Sequence, residues 1–120
     1  AFPYDQINRF ADMMRYLSFD EGLATYLSWG EDASHYQLNT EKYEEYRKHA
    51  FIMMKMALIE KDAQNQQSAI QIATSGSFWE RFPTISGLFL WDILYREHGI
   101  DAFHQIYLAG WEGFLPVAES

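Results

Sequence analysis

The chain contains no cysteine. That absence excludes a disulfide scaffold, a thiolate zinc knuckle and a cysteine nucleophile, and it leaves the redox compartment open. Proline and glycine are scarce, at 3 and 7 of 120 residues, so collagen-like and low-complexity organisation fail. No apolar run approaches about 18 residues, the length at which a helix can span a bilayer. Basic residues are few as well: 9 Lys and Arg stand against 17 Asp and Glu, a formal net charge of -8. Phosphate backbones are gripped by clusters of Lys and Arg. The nearest approach to one, Arg47-Lys48, follows directly on Glu44-Glu45-Tyr46. Neither nucleic acid nor an anionic membrane surface is an expected partner. No G-x-G-x-x-G phosphate loop is present, and no signal peptide is visible. The opening Ala1-Phe2-Pro3, without Met, reads as the start of a mature or trimmed chain.

Aromatic residues are plentiful: 9 Phe, 8 Tyr and 4 Trp, in a chain that is 48% hydrophobic. Disordered chains are poor in such residues. A chain of 120 residues is about one domain. It buries roughly two thirds of its unfolded surface, so it needs neither disulfide nor metal to hold a core. The expectation is a single helical domain over 1–120.

The apolar pattern is helical almost throughout. Ile7, Phe10, Met14 and Leu17 recur three and four residues apart, which predicts a first helix from about Tyr4 to Leu17. Ser18 followed by Glu21 has the form of a capping box and predicts a new helix start. Phe19, Leu23, Tyr26 and Leu27 form its stripe, and Gly30 after Trp29 is its stop. Glu31 to Thr40 is polar and without period, hence a loop. Thr40 caps a long helix over Glu41 to Asp62. The second half of that helix, Phe51 to Ile59, is apolar all round except Lys55, the pattern of a helix buried on most sides. Asn65 to Thr74 reads as helix and Gly76 to Pro83 as a break. Thr84 caps Ile85 to His98, Gly99 ends it with a left-handed residue, and Asp101 caps a last helix to Ala109. Gly110, Gly113 and Pro116 break the tail. No alternating strand pattern appears. The predicted fold is all-α, a compact bundle of five to six helices.

One segment carries a resemblance. Phe19-Asp20-Glu21-Gly22-Leu23-Ala24-Thr25-Tyr26-Leu27, with the core Glu-Gly-Leu-Ala-x-Tyr, resembles the third-ligand segment of gluzincin zinc metallopeptidases. In that family an H-E-x-x-H helix supplies two His ligands and a Glu base, and a following helix supplies a Glu ligand. By position the resemblance makes Glu21 the metal ligand, with zinc as cofactor. A second stretch, Ser86-Gly87-Leu88-Phe89 followed by Ile93 to Gly99 and Phe103 to Tyr107, is similar to the closing helices of such domains. The resemblance implies the C-terminal helical subdomain of a larger metallopeptidase-like fold, or a relative that has lost its metal site. H-E-x-x-H is missing: His35, His49, His98 and His104 form no i, i+4 pair. A catalytic zinc takes three protein ligands, so the chain alone is expected neither to hold zinc nor to cleave peptides. Its partner would be a peptide or protein, a missing N-terminal half, or a second copy in a homo-oligomer.

Glu21 has a second reading, as the third helical residue of the capping box begun by Ser18. On a wheel of about 100° per residue it lies opposite Phe19, Leu23, Tyr26 and Leu27. Its own side carries Ala24, Thr25 and Ser28, which suits a closely packed helix and a solvent face equally. Glu45 and His49, at i, i+4, read as a solvated helix face. Asp92, set among apolar residues, reads as a structural ion pair with Arg96. Met13, Met14, Met53, Met54 and Met56 read as core. Phe78, Trp79, Phe82, Trp91 and Trp111 are core or the lining of a groove, with Trp79 and Trp111 the most exposed. The function class that competes with the peptidase fragment is a non-enzymatic acidic helical module that binds peptide or protein.

Overall fold

The computed structural model describes residues 9–29, 38 and 40–115. Among them the chain forms four helices joined by short 3-10 turns, and no strand. We label these α1 (Phe10–Trp29), α2 (Glu44–Ile59), α3 (Ala63–Ser75) and α4 (Phe82–Ala109). No helix among the described residues is long and apolar enough to cross a membrane. The expected helix start at Tyr4 with Ile7, the stop at Gly30, the loop over 31–37 with His35, and the break at Pro116 lie outside the described residues.

The helix count differs from the expected five to six for a physical reason. Ser18 does not start a helix; it sits inside α1. The residues before it, Tyr16 and Leu17, are compatible with a helix, and no Pro or Gly interrupts the run from Phe10 to Glu21. A capping box needs a break in the chain upstream, and none exists. Gly99 behaves as expected: its φ of 85° and ψ of 178° interrupt α4, in a region of backbone space open only to glycine. The helix breaks there, so α4 consists of two helical stretches that meet at a kink at Gly99. Gly110, with φ 92°, ends it.

Thr40 precedes the 3-10 turn Glu41–Tyr43 that leads into α2, although its side chain makes no capping hydrogen bond. Asp62 does cap: its carboxylate accepts from the Asn65 backbone N–H at 3.0 Å at the start of α3. Thr84 does not cap α4, which begins two residues earlier with Pro83 in the first turn. Proline suits that position because its missing N–H would have no helical partner there.

The core lies where α1 and the first half of α4 cross. From Phe82 to Asp92 every residue of α4 is buried. Trp91 is central. Its ring lies 4.6 Å from both Phe103 and Phe114 and 5.5 Å from Phe19, centre to centre. Its indole N–H donates to the Phe19 carbonyl at 3.0 Å. Burying each large apolar side chain here is worth about 1.5–3 kcal/mol. On the other side of α4, the Ser86 hydroxyl donates to the Ala50 carbonyl of α2 at 3.0 Å.

The expectation that Phe51 to Ile59 is buried on most sides is overturned. Ala50, Met54 and Ala57 face the core, but Ile52 is 58%, Met56 58% and Ile59 76% exposed. Helix α2 packs on one side only, so its outer apolar residues have no cover among the described residues. Trp79 and Trp111 are partly buried rather than the most exposed aromatics. Trp79 stacks on Tyr46 with ring centres 4.3 Å apart, and Trp111 meets the edge of Tyr16.

Candidate functional site

Two glycines allow α1 and α4 to meet. A Cβ built on Gly87 would lie 1.8 Å from the Ser18 carbonyl oxygen, and one on Gly22 would lie 2.6 Å from Gly87 Cα. Both distances are far below contact, so the helices touch backbone to backbone. The segment that carries the resemblance, Glu21-Gly22-Leu23-Ala24, therefore lies against Ser86-Gly87, the second segment singled out in the sequence.

Next to this contact Glu21 reaches across to α4. Its Oε2 accepts from the Thr84 hydroxyl at 2.9 Å. Thr84 is buried, at 5% exposure, and Glu21 is partly buried. The capping reading of Glu21 is thereby removed: the Ser18 N–H is inside a continuous helix, and the carboxylate has turned toward another element. Among the described residues Oε1 of Glu21 has no hydrogen-bond donor. Thr74 shows the ordinary alternative for a helical threonine, its hydroxyl donating to the Ile70 carbonyl of its own helix at 2.7 Å.

A second polar bridge joins the same two helices further along both of them. The Tyr26 hydroxyl donates to Asp92 Oδ1 at 3.0 Å, and Arg96 donates to Asp92 Oδ2 at 2.6 Å. The Asp92 side chain is 3% exposed. Two donors, one of them charged, answer its two oxygens, so the expected pair with Arg96 is present and gains Tyr26. Burial, and then the Asp92 carboxylate beside it, hold the Tyr26 phenol well above its usual range. It is a fixed donor, not a proton shuttle near neutral pH.

The other candidates do not converge. Glu45 and His49 are both exposed on α2, in keeping with a solvated face. His98 lies 4.0 Å from Glu97 on the surface of α4. Among the described residues no group of three or more His, Cys, Asp or Glu could hold a metal ion. Glu21 is a single carboxylate with Oε2 held by Thr84, which is not by itself a zinc site. The described residues supply no further ligands around it. Of the methionines, Met14 and Met54 are buried and Met13 and Met53 partly so, whereas Met56 is exposed.

Thr84 and Tyr26 are the participants that sequence reasoning missed. Thr84 stands 63 positions from Glu21 and Tyr26 stands 66 from Asp92. No local spacing rule connects residues so far apart. The only available signal was the pair of small-residue segments at Gly22 and Gly87, each suited to close helix contact. No protein-family model, curated protein or solved structure matches the chain.

Proposed function

We propose that the chain is the C-terminal helical subdomain of a gluzincin-like zinc metallopeptidase, contributing Glu21 to the metal site. The observation that supports this reading is the Glu21–Thr84 hydrogen bond across the Gly22/Gly87 contact. A solvent-facing or capping glutamate has no need of a buried partner on a second helix. A ligating carboxylate does, because ligands of this kind are held by a hydrogen bond from behind.

In such enzymes the bound zinc makes a water nucleophilic near neutral pH. This chain supplies one of the three ligands a catalytic zinc takes, so no catalytic step is assigned to it alone. Its residues orient. Glu21 presents a carboxylate, the Gly22/Gly87 contact fixes its distance from α4, and the Tyr26–Asp92–Arg96 bridge keeps α1 from sliding along α4.

The test is the coding frame upstream of Ala1 and its complete product. An H-E-x-x-H helix should lie within a few tens of residues. The full product should bind one zinc per chain and cleave casein, and Glu21→Gln should abolish both, while residues 1–120 alone do neither. A frame without H-E-x-x-H, or zinc binding unaffected by Glu21→Gln, overturns the proposal.

A second reading, an acidic helical module that holds a peptide or protein, is favoured by one observation. Ile52, Met56 and Ile59 form an exposed apolar stripe on α2, and exposed stripes of this kind mark binding surfaces. That reading gains if the complete product binds no zinc.

A further inference from the structure

We infer that the cleft between the C-terminal half of α1 and the stretch of α4 beyond Gly99 is a docking groove for a basic amphipathic helix of another protein. The inference goes beyond both readings above, because it uses neither Glu21 nor the stripe on α2. Shape is the first observation. The cleft has a volume of about 360 Å³ and is lined largely by apolar side chains. Leu23 and Phe103, both buried, form its floor. Leu27 and Ile100, each 61% exposed, and Tyr107, 48% exposed, form its rim. Over residues 100–107 α4 rises two turns, about 10 Å. A partner helix presents apolar anchors at i, i+4 and i+7 over the same distance. The wall is also preformed: the Phe103 ring packs on Trp91 at 4.6 Å and on Tyr26 at 6.0 Å, so little ordering is left to oppose binding.

Charge is the second observation, and it decides the kind of partner. Residues 16–29 carry Asp20 and Glu21, residues 97–115 carry Glu97, Asp101 and Glu112, and neither stretch contains Lys or Arg. Asp101 lines the cleft itself. Arg96, just outside the second stretch, is bound to Asp92. The histidines His98 and His104 are the only other charge-bearing groups of that stretch beside its tyrosine. An apolar floor in an acid-only surround selects Lys and Arg beside the partner's apolar anchors, and it repels an anionic surface. A second copy of the chain is a poorer occupant, because each copy carries a net charge of -8 and like charges oppose association.

The experiment titrates the 120-residue chain against labelled peptides of about 18 residues, long enough to form a helix, and reads fluorescence anisotropy. One peptide carries Leu at i, i+4 and i+7 spacing with Lys elsewhere. A second has Glu for every Lys, and a third has Gln for every Leu. The Leu/Lys peptide should bind about tenfold or more tightly than the other two. Leu27→Gln and Ile100→Gln alter exposed positions without changing the charge, and each should weaken binding by about tenfold. Asp101→Asn should weaken it by about two- to fivefold, a loss that high salt removes. Ile52→Gln, on α2, should bind as wild type does, and melting curves should show every variant folded. No binding of the Leu/Lys peptide overturns the inference. Equal binding of the Leu/Lys and Gln/Lys peptides shows general charge attraction and also overturns it, as does wild-type affinity in a Leu27→Gln, Ile100→Gln double variant. Loss of affinity on Ile52→Gln moves the peptide to α2, which overturns the groove and leaves the binding-module reading intact. Sedimentation should show a monomer; self-association that Leu27→Gln removes gives the groove to a second copy and overturns the assignment to a foreign partner.

Discussion

Two stretches of this molecule are comparably apolar in sequence and opposite in environment. Phe82 to Leu94 on α4 is buried along almost its whole length, whereas Phe51 to Ile59 on α2 leaves Ile52, Met56 and Ile59 in water. The difference lies in the small residues. Thr84, Ser86 and Gly87 interrupt the bulky side chains of α4 and let α1 and α2 close on it from two sides. The stretch on α2 has Ala57 on its inner face but no glycine or serine, and its outer face carries branched or long side chains. Hydrophobicity provides a reason to be buried; surface shape decides whether a second helix can approach closely enough to do it.

The sharpest way to break the contrast is Gly87→Ala. The new methyl would meet the Ser18 carbonyl oxygen at 1.8 Å, a backbone atom that cannot yield unless the helix moves. The expected loss, measured by urea unfolding, is at or above the top of the about 1–3 kcal/mol typical of overpacking. A loss below about 1 kcal/mol would show that the crossing is not tight.

Next in size is Asp92→Ala, which deprives Tyr26 and Arg96 of their shared acceptor. A hydrogen bond to a charged group contributes about 1.5–3 kcal/mol, and the loss should fall in that range. Arg96 is partly exposed and can rehydrate, which keeps the cost below that of breaking a fully buried pair. A variant as stable as wild type would mean that the bridge adds nothing to the packing.

Tyr26→Phe should cost about 1 kcal/mol at neutral pH and should also change the alkaline limb. In the folded protein the Tyr26 phenol is raised above its ordinary value of 10.0, so above that pH the folded state binds more protons than the unfolded one. Stability is then fully present below about pH 10 and falls as pH rises through the folded value. Urea titrations from pH 8 upward should show a shallower alkaline loss in Tyr26→Phe. Identical limbs in the two proteins would contradict the raised value.

The smallest effect should come from the exposed stripe. Ile52→Gln should shift stability by no more than about 0.5 kcal/mol, as surface substitutions do. A loss several times larger would mean that the α2 face is covered in solution, and the contrast with α4 would disappear.

Much of the helical framework was legible because it depends on short-range periodicity. The presence of α2 and α3, the break at Gly99 and the stop at Ala109 follow from apolar spacing and glycine, whereas the helix expected over Glu41 to Asp62 opens as a 3-10 turn and ends at Ile59, with Asp62 capping α3 instead. The start predicted at Ser18 failed because a capping motif is a permissive local signal and the surrounding turns are themselves helical. The site was half legible. Glu21 stood out through its neighbours Gly22, Leu23 and Ala24, and Arg96 through its spacing from Asp92. Thr84 looked like a cap, and Tyr26 looked like one more residue of a stripe.

The sequence by itself determined an acidic, helical, cysteine-free chain with glycine at the points where the backbone must come close or turn. These are properties of composition and of contacts within a few residues. The tertiary structure alone decided which apolar faces are covered, and that Thr84 and Asp92 face Glu21 and Tyr26. Those outcomes depend on how two helices cross at Gly22 and Gly87, and a crossing is set by the fit of whole surfaces rather than by any local pattern.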